Sequence, residues 1–182
     1  MTVAITRSDD LQRLPMSWEQ YLTYDDAVPS EYYGGALVVA AQPSQLHQHI
    51  QFRLTTLLHA HAPAGAAVTQ GWAWSPDGAR EELGPDLMVH EPTTEQRALR
   101  SIPFLVVEIV STNRSADLVA KLQRYAAWGA PSYWIVDPRD HAVTTLVLRD
   151  GLYEESGFHT SGAVVLTYGD IEVPVDLDAL FG

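Results

Sequence analysis

The stretch Pro103-Phe104-Leu105-Val106-Val107-Glu108-Ile109-Val110 is apolar at every position but one. A run this short, β-branched and uninterrupted reads as a strand buried on both faces, the centre of a sheet covered by helices. The exception is a carboxylate. An unpaired charge in such a place is costly, so the chain must supply a cation, a hydrogen-bond network or a raised pKa. Asp86, which follows Pro85, and Lys121, which falls on the helix predicted next, are the candidates for completing a site around Glu108.

Outward from that strand the pattern alternates between helix and strand. A helix is predicted from residue 114 or 115 to 128, with Leu118, Leu122, Tyr125 and Ala126 inward and Gly129 near its C-terminus. A second buried strand, 132–136, follows and ends at Asp137-Pro138. Upstream, 66–74 and 86–89 read as strands, and Leu46, Ile50, Leu54, Leu57 and Leu58 give one apolar stripe on a helix from 44 or 45 to about 61. Residues 31–33 and 36–41 read as two strands around Gly34-Gly35, and Ser17 as the N-cap of a helix over 18–26. Segments 142–148, 151–155 and 163–168 look like an antiparallel run, with a last helical turn at 176–181. The prediction is an α/β fold: a mixed central sheet flanked by helices, with a C-terminal antiparallel extension. Residues 1–16 are expected to be a flexible segment and 17–182 a single domain.

The 182 residues, 46% apolar and 9% aromatic, suffice for a real core. No run approaches the ~18 apolar residues of a membrane span, and the N-terminus lacks an apolar signal core, so a soluble cytoplasmic protein is expected. With no cysteine, disulfides and thiolate chemistry are excluded and any metal must be held by oxygen or histidine ligands. The net charge of −12, from 23 acidic and 11 basic residues, argues against a broad nucleic-acid-binding surface. It leaves room for a local patch, for which Arg97, Arg100, Arg114, Lys121, Arg124 and Arg139 are nearest the site in sequence.

If the strands carrying Asp86 and Glu108 are neighbours, their carboxylates converge. Two carboxylates at adjacent strand ends suit Mg²⁺, which prefers few protein ligands and keeps several waters. A nearby ammonium such as Lys121 can position water or stabilise charge developing at phosphorus. Asp117, Lys121, Arg124, Tyr125 and Trp128 recur at three and four residues and share one helical stripe. The competing reading makes Asp117 and Lys121 a surface pair worth only about 0.3–0.5 kcal/mol, which leaves Glu108 without its cation.

Elsewhere the bland readings prevail. His47 and His49, like His59 and His61, lie two apart on a helix and point in different directions, so neither pair chelates. Asp137-Pro138 reads as a strand-ending turn. Trp72 and Trp74 share a strand face and fit core or dimer packing. No glycine-rich phosphate loop, serine nucleophile elbow or zinc-helix motif is present.

Pro85-Asp86, Val107-Glu108-Ile109-Val110-Ser111, then Asp117, Lys121 and Tyr125, and Tyr133-Trp134-Ile135-Val136-Asp137-Pro138 together resemble the Uma-two restriction endonuclease family of the PD-(D/E)XK nuclease superfamily. Glu31, Gly35, Leu37, Ser44 and His47 fit its opening pattern, so the resemblance covers roughly residues 17 to 155. It implies a restriction-endonuclease-like fold and metal-dependent phosphodiester hydrolysis, with DNA as the expected substrate and Mg²⁺ or Mn²⁺ as cofactor. By the resemblance Asp86 and Glu108 are the metal carboxylates and the Ile109 carbonyl a third ligand, with Lys121 catalytic and Glu31, His47, Asp117 and Tyr125 supporting. The superfamily lysine often lies two residues after the acid; here that position is Val110, so Lys121 stands in from the helix. Gly34 and Ala36 replace acids common in the family, and Thr112 replaces a frequent proline. A homodimer is the expected assembly. The acidic balance keeps open a second reading, a catalytically silent, dimeric binding module on the nuclease fold.

Overall fold

The strand predicted around Glu108 is observed, and its neighbours build a six-stranded mixed sheet. A computed structural model describes residues 6–8, 11–24, 29–39, 42–111 and 115–182. The first half contains β1 (Thr6–Ser8), β2 (Leu11–Pro15), α1 (Trp18–Leu22), β3 (Glu31–Tyr33), β4 (Ala36–Val39), α2 (Gln45–His61), β5 (Ala67–Gln70), β6 (Ala73–Trp74) and β7 (Leu87–His90). The second contains β8 (Ala98–Leu99), β9 (Leu105–Ile109), α3 (Ser115–Ala127), β10 (Ser132–Asp137), β11 (Ala142–Arg149), β12 (Leu152–His159), β13 (Ala163–Tyr168), β14 (Ile171–Asp176) and α4 (Leu177–Phe181).

The main sheet runs β12-β11-β10-β9-β7-β5. Only the β9–β10 step is parallel, and α3 supplies the crossover that a parallel pair requires. Side chains alternate across β9 with period two. Leu105, Val107 and Ile109 pack with Ile50, Leu54 and Leu58 of α2 and with Val173 and Val175 of β14. Val106 faces the opposite way, toward Tyr125 of α3, Trp74 and Tyr133. Glu108 has the parity of Val106, which explains why its carboxylate meets α3.

In α2 the Ser44 side chain accepts the His47 N–H at 3.2 Å, and Ile50, Leu54 and Leu58 follow at four-residue spacing on the buried side. Each such buried leucine or isoleucine contributes about 1.5–3 kcal/mol. Leu46, expected in the same stripe, is exposed instead. The α2 and α3 boundaries agree with the sequence pattern to within a residue or so. None of the described helices is long and apolar enough to cross a membrane.

Several expectations need revision. Within the N-terminal stretch read as loose, Leu11–Pro15 forms a strand paired with β4, and Leu14 packs against Tyr21, Tyr32 and Leu37. The ladder and that small aromatic cluster hold what polar composition suggested was free. The first helix ends at Leu22; residues 25 and 26 of its predicted span, like Ala40, Ala41, Thr112 and Arg114, lie outside the described residues. Residues 66–74 do not make one strand: Gly71 takes a φ of +55° and separates β5 from β6. Trp74 then pairs with Leu99 and is buried against Tyr125 and Trp128, while Trp72 lies beside His90. In the C-terminal run, β11 and β12 extend the main sheet, but β13 leaves it to pair with β14.

Candidate functional site

The β7–β9 ladder places Leu87 opposite Val107, so the next step outward sets Asp86 across from Glu108 at the end of the sheet. There Asp86 Oδ2 accepts the Ile109 N–H at 2.7 Å, and Asp86 Oδ1 lies 3.1 Å from His47 Nε2. Gln51, one helical turn beyond His47, donates to the Asp86 carbonyl at 2.9 Å. The strand, the helix and the neighbouring backbone therefore fix both oxygens of this carboxylate.

Glu108 Oε1 accepts the Tyr125 hydroxyl at 2.6 Å and lies 3.1 Å from Lys121 Nζ. Both partners come from α3, one turn apart, so one helical face delivers an ammonium and a phenol to one oxygen. Lys121 also reaches Glu31 Oε1 at 2.8 Å, and that oxygen accepts the Gly84 N–H at 2.7 Å. Asp117, one turn before Lys121, accepts the Tyr33 hydroxyl. The surface-pair alternative for Asp117 and Lys121 does not hold, since both are buried. Glu108, Ile109, Val110, Asp117, Leu118 and Lys121 line a small pocket.

The electrostatics follow from burial. Burial, opposed by Lys121 and reinforced by Asp86 and Glu31, pushes the Glu108 carboxyl up to about 8. For Lys121, burial acts downward, but Glu108, Glu31 and Asp117 outweigh it and hold the ammonium well above its ordinary range. The Tyr125 hydroxyl is raised by burial and by Glu108.

The structure thus brings together Asp86, Glu108, Lys121, Glu31, His47, Asp117, Tyr125 and the Ile109 backbone. Tyr33, Gln51 and Gly84 join them without any signal in the sequence, because each acts through a contact distant along the chain. The expected basic patch is largely neutralised. Arg97 pairs with Glu82, Arg124 with Glu81 and Arg139 with Asp140, and Arg100 donates to the Ser75 carbonyl.

Among the described residues no three His, Asp or Glu side chains cluster as a ready-made metal cage. The donor set still suits a hard cation that takes one or two carboxylates and keeps its waters. Glu31, Asp86 and Asp117 lie about the Glu108–Lys121 pair; burial raises the Glu108 carboxyl, Lys121 draws it down, and Asp86 and Glu31 add to the rise. Asp86 and Glu108 could hold such a cation.

A comparison with curated proteins gives no match. Among solved structures the fold is similar to one from Anabaena variabilis ATCC 29413 described as "a putative nuclease belonging to DUF820", with a TM-score of 0.76 at 17% identity, over 92% of this chain and 98% of that one. The family model Uma2, described as "Putative restriction endonuclease", matches residues 18–172. That match runs from α1 into β14 and takes in every residue that lines the site, so the chain belongs to the Uma2 family.

Proposed function

We propose that the protein is a metal-dependent phosphodiesterase, a DNA endonuclease using Mg²⁺ or Mn²⁺. The observation that carries this reading is the buried Glu108 carboxylate, set across from Asp86 and held by Lys121 and Tyr125. When bound, the metal supplies charge neutralisation at the phosphate and acidifies coordinated water. Asp86, fixed through both oxygens, and Glu108 are its carboxylate ligands. Lys121 has three N–H donors; Glu108 and Glu31 take two, leaving one for a phosphoryl oxygen or the attacking water. Tyr125 orients Glu108, and Tyr33 orients Asp117 at the pocket wall.

Plasmid, single-stranded DNA and RNA cleavage by wild type, Asp86→Asn and Lys121→Ala tests the assignment. The expected result is metal-dependent cleavage of DNA by wild type and its loss in both variants. Calorimetric Mg²⁺ binding in wild type and Glu108→Gln tests the metal separately, and equal affinities would sink that part. The neutralised arginines and the net charge of −12 favour a second reading, a dimeric binding module without catalysis. Wild type that cleaves nothing at low salt would select it.

A further inference from the structure

Tyr33 carries two guanidinium groups over one ring. Arg13 Cζ lies 4.6 Å and Arg124 Cζ 4.9 Å from the ring centroid, while the hydroxyl of the same ring reaches Asp117 at the pocket. The two arginines differ in what else they hold. Arg124 is occupied: Glu81 accepts from its Nε at 2.8 Å and its Nη2 at 3.0 Å, and the Ala120 carbonyl accepts from its Nη1 at 3.0 Å. For Arg13, half-exposed on β2, no carboxylate among the described residues lies within salt-bridge reach.

The adjoining turn leaves space beside both groups. A Cβ added at Gly34 would sit 3.9 Å from Arg124 Nη2 and 4.0 Å from Arg13 Nη1, so no side chain from this turn fills the gap between them. The Gly34 N–H is itself bound to Glu81. Two like charges over one ring repel, and Glu81 offsets one of them. The other is a planar guanidinium, held against a π-face, whose N–H fork suits a bidentate anion. In a chain of net charge −12, this is a cation with no carboxylate partner among the described residues, set over the ring whose hydroxyl reaches the pocket proposed for phosphodiester chemistry.

We propose that Arg13 binds a backbone phosphate of a polynucleotide, next to the one held in the Glu108–Lys121 pocket. The inference rests on the nuclease reading and deepens it: the substrate is a phosphodiester chain longer than a single linkage, and β2 forms part of its binding surface. It gives the acidic chain one local cation for the substrate backbone.

Binding of a short fluorescent DNA duplex in EDTA, titrated with salt, tests this in wild type, Arg13→Gln, Arg13→Lys and Arg149→Gln. Arg149 is an exposed β11 residue paired with Glu154, and its loss changes the net charge as much as loss of Arg13. Arg13→Gln is expected to lower the slope of log affinity against log salt by about one. In plasmid cleavage it should raise KM about tenfold with kcat little changed, the size expected for one charge-assisted hydrogen bond. Arg13→Lys keeps the slope and loses part of the affinity, and decides the matter if Arg13→Gln does not fold. Arg149→Gln behaves as wild type. The proposal is overturned if wild type binds and cleaves DNA while Arg13→Gln keeps its slope and KM, or if Arg149→Gln weakens binding equally. Wild type that neither binds nor cleaves overturns the nuclease reading and Arg13 with it.

Discussion

His47 Nε2 lies 3.1 Å from Asp86 Oδ1, so a ring on the first turns of α2 steadies a carboxylate that precedes β7. The other Asp86 oxygen is held by the Ile109 N–H, and together these contacts fix the carboxylate's direction before any ligand arrives. Groups that orient a metal ligand without touching the ion matter nearly as much as the ligand. His47→Ala should therefore fold normally and weaken Mg²⁺ binding about 10- to 100-fold. Calorimetric titration checks this, with thermal melting as the folding control; unchanged affinity would remove His47 from the site.

Lys121 sits between Glu108 and Glu31; it is buried with Glu108, and Glu31 is partly buried. Lys121→Met deletes the cation and, where Glu108 is ionised, strands a buried carboxylate beside the partly buried Glu31, at a cost of about 3–5 kcal/mol. In a Glu108→Gln background the same substitution should cost clearly less, because one of the stranded charges is already gone. A double-mutant cycle by urea unfolding measures the difference. Strict additivity would show that Lys121 and Glu108 do not act as a pair.

How much of this was legible in the chain depended on whether the signal was local. The continuous apolar run of β9, the 3.6-residue stripe of α2 and the Gly34-Gly35 turn each report a local preference, and the structure has each of these elements, with Leu46 alone outside the buried face expected of α2. Asp86, Glu108 and Lys121 were legible because a charge in a buried strand demands a partner, and the family resemblance narrowed the choice. Tyr33 was not, since nothing at position 33 points to Asp117; only the packing of β3 against α3 unites them. β14 was missed because Pro174 and the charged Glu172 and Asp176 disguise the alternation of Ile171, Val173 and Val175, whose apolar side covers α2. β2 was missed for a related reason: its polar residues carry no strand signal until β4 lies beside it.

Tyr125 donates to Glu108 at 2.6 Å from a fully buried position. Tyr125→Phe keeps the ring stacked on Trp74 and removes only the hydroxyl. The loss of this buried hydrogen bond to the Glu108 carboxyl is expected to cost about 1–3 kcal/mol in urea unfolding. A variant as stable as wild type would mean that the hydroxyl contributes nothing to holding the carboxylate.

Burial, against the pull of Lys121, pushes the Glu108 carboxyl up from its ordinary 4.5 to about 8. The folded protein then binds this proton more tightly than the unfolded chain does. The resulting stability is fully present below 4.5 and is lost as pH rises through about 8. The metal-free protein should lose stability across that interval, and Glu108→Gln, which has no proton to give up, should show a flatter profile. A cation needs the ionised carboxylate, so Mg²⁺ affinity should climb over the same range, and binding below its upper end should release up to about one proton. Calorimetry in two buffers of different ionisation enthalpy counts that proton, and urea unfolding against pH supplies the stability curves. Superimposable curves for wild type and Glu108→Gln, with no proton released, would mean that Glu108 is already ionised without the metal.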